Sequence, residues 1–223
     1  MVVLATKLYV GGDARQRALD SLSSQVGNTL GDLDVEWSVG LREDGFPSVT
    51  VEGEDAPVAR NLLREEWGAI TPHREPGEVY AGTLERWDDE GFYLDAGEEV
   101  FVPADGLGLG PGDPSQIRQR FGLVQHVPLR FVVGEEGVAR LADEERDRLY
   151  EWTRGEGRVN VNSATRSEVR ATINRAGHAE DIVTVERLGL LEQSVVCREG
   201  TDPPGLIASI GEYLPAELLA VVP

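Results

Sequence analysis

The chain has 223 residues, enough for one to three domains, and 40% of them are hydrophobic, which excludes wholesale disorder. Acidic residues number 40 against 21 basic ones, a formal charge of −19, and the single Cys197 excludes a disulfide framework and a cysteine-based zinc site. No apolar run reaches membrane-spanning length, and the opening MVVLATKLYV has neither the charge nor the length of a signal peptide, so the expectation is a cytoplasmic protein with no membrane partner.

Residues 4–10, LATKLYV, predict a strand. Asp13 with Gln16 predicts a capped helix over 13–29, with Ala18, Leu19, Leu22 and Val26 facing inward. Residues 35–41 and 47–52 read as two strands around the turn Glu43-Asp44-Gly45. Asp55 opens a second helix, with Pro57 in its first turn and Leu62, Leu63 and Trp67 further along. The linker Thr71 to Gly77 follows, then three alternating strands, EVYAGTLERW, GFYLDAG and EEVFVPA. Glycines 106, 108, 110 and 112 precede a short helix near 114–121 and a strand over 127–133. Residues 142–153 predict a charged connecting helix. Strand RVNVN, a Thr165–Glu168 capping box, strands IVTVERL and SVVCRE, a helix opened by Asp202 and Pro203, and AELLAVV complete the chain.

The expected fold class is α+β and multi-domain. A ferredoxin-like βαββα domain spans 1–72, a small OB-like β-barrel 73–141, a connecting helix 142–157, and a ferredoxin-like βαββαβ domain 158–223.

Lys7 is the only lysine, so nearly all of the positive charge is arginine, which keeps its charge and makes bidentate contacts. An acidic, lysine-poor composition suits a protein working at molar salt, where charge acts over only about 3 Å. An acidic mimic of nucleic acid is the alternative, against which the acids are spread through all regions. Paired carboxylates are everywhere and so carry no catalytic signal.

The stretch RVNVNSATRSEV, followed by AGHAEDIVTVERLGLLEQSVVCREGTDPPGLIASIG, resembles the C-terminal part of an archaeal family, domain-of-unknown-function family twenty-one-ten. PGEVYAGTLERW, GFYLDAGEEVFVP and QIRQRFGL look like its middle part. The resemblance implies an archaeal protein, here of haloarchaeal type, and supplies no activity. Gly77-Glu78-Val79, Gly82 and Gly91-Phe92-Tyr93-Leu94-Asp95 are in turn similar to the opening strands of the S-one-type RNA-binding barrel, although Pro103 stands where a basic or aromatic residue would help. That likeness implies Tyr93 as a base-stacking residue.

The most informative feature is where acids are missing. Between Asp113 and Glu135 there is no carboxylate, while Arg118, Arg120, Arg130 and His126 are present. From Arg158 to His178, Arg158, Arg166, Arg170 and Arg175 face a single acid, Glu168. Arg166 and Arg170 lie one turn apart on a helix face, with Val169 and Ile173 pointing the other way. Such a face suits phosphate through guanidinium forks; the competing reading is that these arginines bridge to acids of neighbouring domains. Of the adjacent Phe92 and Tyr93, only one can face outward.

Asp202-Pro203-Pro204-Gly205-Leu206-Ile207 resembles the start of amino-acid-sensing ACT domains, which implies a small-ligand contact at Asp202 and Gly205. A helix merely started by proline is the competing reading. The glycine run 106–112 lacks the Lys-Ser or Lys-Thr of a nucleotide loop, and His73, His126 and His178 have no ligand spacing. No nucleophile, metal or cofactor is expected. The expectation is therefore a non-enzymatic protein that binds RNA, the ribosome or the transcription machinery. The alternatives are an adaptor for an acidic protein partner and an amino-acid sensor.

Overall fold

Apolar residues recurring every fourth position give the first helix its buried stripe. In the computed structural model, which describes residues 1–134 and 137–223, helix α1 (Gly12–Leu30) buries Ala18, Leu22, Val26 and Leu30. Helix α2 (Ala56–Trp67) buries Ala59, Leu63 and Trp67 against the same core. Both cover a sheet of order β1 (Val2–Val3), β3 (Pro47–Glu52), β2 (Glu36–Leu41), antiparallel throughout. The fold is α+β, with three antiparallel sheets and seven α-helices among the described residues.

Two local expectations are corrected here. The strand over 4–10 shrinks to Val2–Val3 and one bridge between Leu4 and Ala69. Thr6, Lys7 and Tyr9 point to other domains instead, and Leu8 N–H donates to Gly45 O at 2.8 Å. The Asp13–Gln16 cap does not form: the helix starts after Gly11 without a side-chain cap, and Gln16 donates to Asp20 at 2.8 Å.

The central sheet has the order β6 (Glu99–Pro103), β5 (Gly91–Asp95), β4 (Val79–Asp88), β7 (Pro128–Val133), β8 (Ala139–Leu141), and its two edges, β6 and β8, touch. Between β6 and β7 lie α3 (Ala104–Leu107) and α4 (Pro114–Arg120), the latter held by an Asp113–Gln116 capping box. Helix α5 (Asp143–Trp152) does more than connect, since Leu149 and Trp152 enter the central core.

The last sheet runs β10 (Ile182–Arg187), β11 (Gln193–Cys197), β9 (Arg158–Val161), β12 (Leu218–Val221). Helices α6 (Arg166–Arg175) and α7 (Pro203–Ile210) cover one face, where Val159 and Val161 meet Val169, Ile173, Leu206 and Ile210. The predicted Thr165–Glu168 capping box is present. Period two sends Asn160 to the opposite face, where it donates to Gly122 O at 2.8 Å in the central domain. Gly122 has φ +61°, and a Cβ there would lie 2.6 Å from Val221, so only glycine lets the two domains close this far.

All three domains meet at Tyr9. Its hydroxyl donates to Glu192 Oε1 at 2.6 Å and accepts from Ser163 N–H at 2.8 Å. Its ring stacks on His126 at 3.8 Å between centroids. His126 Nδ1 lies 3.2 Å from Glu85 Oε1, and Lys7 bridges Glu85 and Asp95. Ser163 and His126 are the two non-glycine residues with positive φ among the described residues, at 58° and 68°. Both touch Tyr9, so the contact holds them in a sparsely populated backbone region.

Burial pushes the Glu192 carboxyl up to about 8. Burial would also raise Glu85, but hydrogen bonds from His126 and Thr83, with the charges of His126 and Lys7, hold it down to about 2. Two outcomes are expected. Tyr9→Phe leaves a half-buried N–H and a buried carboxyl without their partner and costs roughly 1–3 kcal/mol in chemical denaturation. The folded state keeps a proton on Glu192 that the unfolded chain loses from the ordinary 4.5 upward, so stability falls as pH rises from 4.5 to about 8. Glu85 acts in the opposite sense: its stabilisation is present above 4.5 and lost as pH falls towards about 2. Glu192→Gln should flatten the upper slope and leave the acid limb, as measured by unfolding across pH.

Candidate nucleic-acid interface

Cross-strand register sets the candidate surface. Arg86 pairs with Tyr93 and Tyr93 with Phe101, one residue from each of β4, β5 and β6. These side chains share one face because partners across a ladder project to the same side. Phe92, the neighbour of Tyr93, points inward and is wholly buried, while Phe101 is 39% exposed. The Arg86 guanidinium lies 3.3 Å above the Tyr93 ring centre, and the Phe101 ring is 4.9 Å away at 37°.

A β-bulge makes this row. β4 spends two steps, Leu84 to Arg86, against the single step Leu94 to Tyr93 on β5. The extra residue is Glu85, which turns into the Tyr9–His126 cluster. Leu84 stays in the core and Arg86 emerges on the outer face.

The electrostatics suit a neutral, stackable ring. Asp88 beside its hydroxyl pushes the Tyr93 phenol above its ordinary value. Burial alone would raise Asp88, but the backbone N–H groups of Glu90 and Gly91 hold it low and ionised. Arg86 also pairs with Glu99 at 3.2 Å. Phe101 borders an open hollow of about 790 Å³ that includes His73, Arg74, Pro103 and Val138.

The predicted arginines divide into exposed and engaged groups. Arg118 is corrected: it is 5% exposed, ion-paired with Glu217, and lies 3.7 Å above the Trp87 ring centre. The cause is its place on α4, where Ile117 and Phe121 enter the core and the next position meets the C-terminal domain. Arg158 is likewise spent on Glu186 and Ser194 beside Trp152. Arg120 is exposed, but its fork holds the glycine run through Pro111 O at 2.8 Å and Leu109 O at 2.6 Å. Arg166 and Arg170 are exposed on α6, as is Arg175, which lies 4.9 Å from the Tyr213 ring centre. Arg130 is exposed, and its side chain forms no hydrogen bond or ion pair with the described residues. Glu135, which ends the acid-free stretch, lies outside the described residues.

Among the described residues, Arg118 is the one arginine of the predicted set that bridges to an acid of another domain, and two arginines outside that set do the same. Arg17 pairs with Glu168 at 2.8 Å, Arg187 with Glu66 at 2.8 Å, and Arg118 with Glu217, each across a domain boundary.

The start of α7 offers little to a ligand. The Asp202 carboxylate accepts from Gly205 N–H at 3.0 Å, occupying the donor that a small anion would use. Cys197 is buried, which pushes its thiol up to about 11. No group of three metal-ligating side chains occurs, and no helix is long and apolar enough to cross a membrane, among the described residues.

Arg86, His73 and Arg74 were not expected at this surface from the sequence. Strand alternation alone places Trp87 in phase with Glu85, and only the bulge brings Arg86 opposite Tyr93.

Comparison with curated proteins gives no match. Family models match almost the whole chain: the DUF2110 N-terminal domain over residues 1–73, the central domain over 74–153 and the C-terminal domain over 156–222. The central match includes α5, in keeping with the packing of Trp152 into the central core. The chain belongs to the DUF2110 family.

Proposed function

We propose that this DUF2110 protein is a non-enzymatic RNA-binding accessory protein of an archaeal, high-salt cytoplasm, acting on the ribosome or the transcription machinery. The observation that carries the reading is the outward row Arg86–Tyr93–Phe101. It offers two rings and a guanidinium plane on adjacent strands. Unpaired bases stack on aromatic rings and on arginine planes, and this requires no particular sequence.

Two features of topology support the reading. A five-stranded sheet with touching edges, and helices between its third and fourth strands, is the arrangement of an OB-type barrel. The order β10-β11-β9-β12 with α6 and α7 on one face is that of a ferredoxin-like sandwich. The N-terminal domain has the same plan, with the Leu4–Ala69 bridge standing in for a fourth strand.

The charge balance limits how binding works. A protein of charge −19 repels RNA at low salt, and counterion release adds little at molar salt. Stacking and short guanidinium forks remain. Exposed Arg166 and Arg170 would then contact phosphates, while Arg118 ties the central domain to the last and Arg158 is spent within the last.

The test is filter binding of single-stranded RNA in molar potassium chloride. Tyr93→Ala with Phe101→Ala should weaken binding by roughly tenfold or more. Arg166→Glu with Arg170→Glu should weaken it without unfolding the chain. Arg118→Ala should lower stability instead. Unchanged affinity in the Tyr93–Phe101 variant would overturn the reading. A partner that survives nuclease treatment in a pull-down would favour a protein-docking role.

A further inference from the structure

A second hollow, of about 240 Å³, lies where the three domains meet on the α2 side. The end of α2 supplies Glu66 and Trp67, β7 supplies Arg130, α5 supplies Glu145 and Arg148, and β10 supplies Arg187. Arg187 lies 3.6 Å above the Trp67 ring centre.

Hydrogen bonding here is one-sided. Glu66 accepts from Arg187 with one oxygen and from Thr29 with the other. The buried Glu145 accepts from Arg148. Yet Trp67 Nε1, Arg148 Nε and Arg187 Nη1 are all buried without a partner among the described residues. All three atoms are N–H donors, and at the rim Arg130 adds a guanidinium with no partner among the described residues. Three arginines face two carboxylates, an excess of one positive charge in a chain of charge −19. Burial, with a smaller contribution from the Arg166 charge, lowers the Arg187 pKa despite the neighbouring Glu66. Buried donors left unpaired are costly, and such groups commonly mark an absent acceptor.

We propose that this junction binds a phosphate group, with Arg130, Arg148 and Arg187 as its forks and the Trp67 indole as a further donor. The tetrahedral oxyanion is rich in acceptors, matching a set of unused donors. Arginine forks also prefer it to chloride, because they bond it bidentately. A neighbouring hollow of about 460 Å³, bordered by Arg64, Tyr80 and Arg130, leaves room for the rest of a phosphomonoester. The four lining elements come from three domains, so the bound group would also tie them together. This site goes beyond the RNA reading and stands without it.

Equilibrium dialysis of the full chain against radiolabelled orthophosphate, at constant ionic strength in potassium chloride, tests the proposal. Saturable binding of one phosphate per chain is expected. Arg130→Ala, at an exposed position whose side chain has no partner among the described residues, should weaken it about tenfold while thermal unfolding stays unchanged. Arg187→Lys keeps the charge but loses the fork, and should weaken it as well. No saturable binding, or equal binding by both variants and the wild type, would overturn the site. A mononucleotide and single-stranded RNA, run with the same variants, identify the source of the phosphate. Loss confined to orthophosphate and the mononucleotide points to a free ligand, and parallel loss with RNA points to its backbone. Tyr93→Ala should leave phosphate binding intact, so failure of the RNA platform and failure of this site are read separately.

Discussion

One hydroxyl group, that of Tyr9, joins the three domains. It donates a hydrogen bond to Glu192 in the last domain and accepts one from the Ser163 N–H, while its ring covers His126 of the central domain. A buried carboxyl cannot be left without a donor, so the segment around Tyr9 cannot stay in its own sheet. This is why the first strand stops at Val3 and why Lys7 reaches Asp95 and Glu85. Leu190 and Leu191, from the turn before Glu192, pack into the N-terminal core and add an apolar share to the same junction.

The candidate nucleic-acid surface inherits its geometry from that junction. Glu85 has to leave the ladder to meet His126 and Lys7. Its departure is the bulge that brings Arg86 opposite Tyr93. Domain packing on one side of β4 and an exposed aromatic row on the other are two consequences of one extra residue. Bulges that redirect a side chain in this way are common beside functional sites.

Arginine takes on two tasks that lysine could not share equally. At the seams it stacks on aromatic rings while pairing with a carboxylate, as Arg118 does on Trp87 and Arg187 on Trp67. A flat, weakly hydrated cation loses less on burial than an ammonium. On α6 and at Arg130 the same side chain stays in solvent, and there it can meet phosphate.

Local and periodic features were legible in the sequence. The two-residue and four-residue rhythms, the Thr165–Glu168 box, the split face of α6 and the inward Phe92 beside the outward Tyr93 all follow from neighbours a few residues apart. The family, too, was visible in continuous stretches of sequence. Tertiary structure alone decided which arginines are spent, since the partners of Arg118 and Arg187 lie 99 and 121 residues away. It also decided the bulge at Glu85 and the donor-rich junction at Trp67. The physical reason is one of range: caps and amphipathic faces are fixed within a turn or a strand, whereas desolvation and charge pairing depend on what another domain brings to the same place.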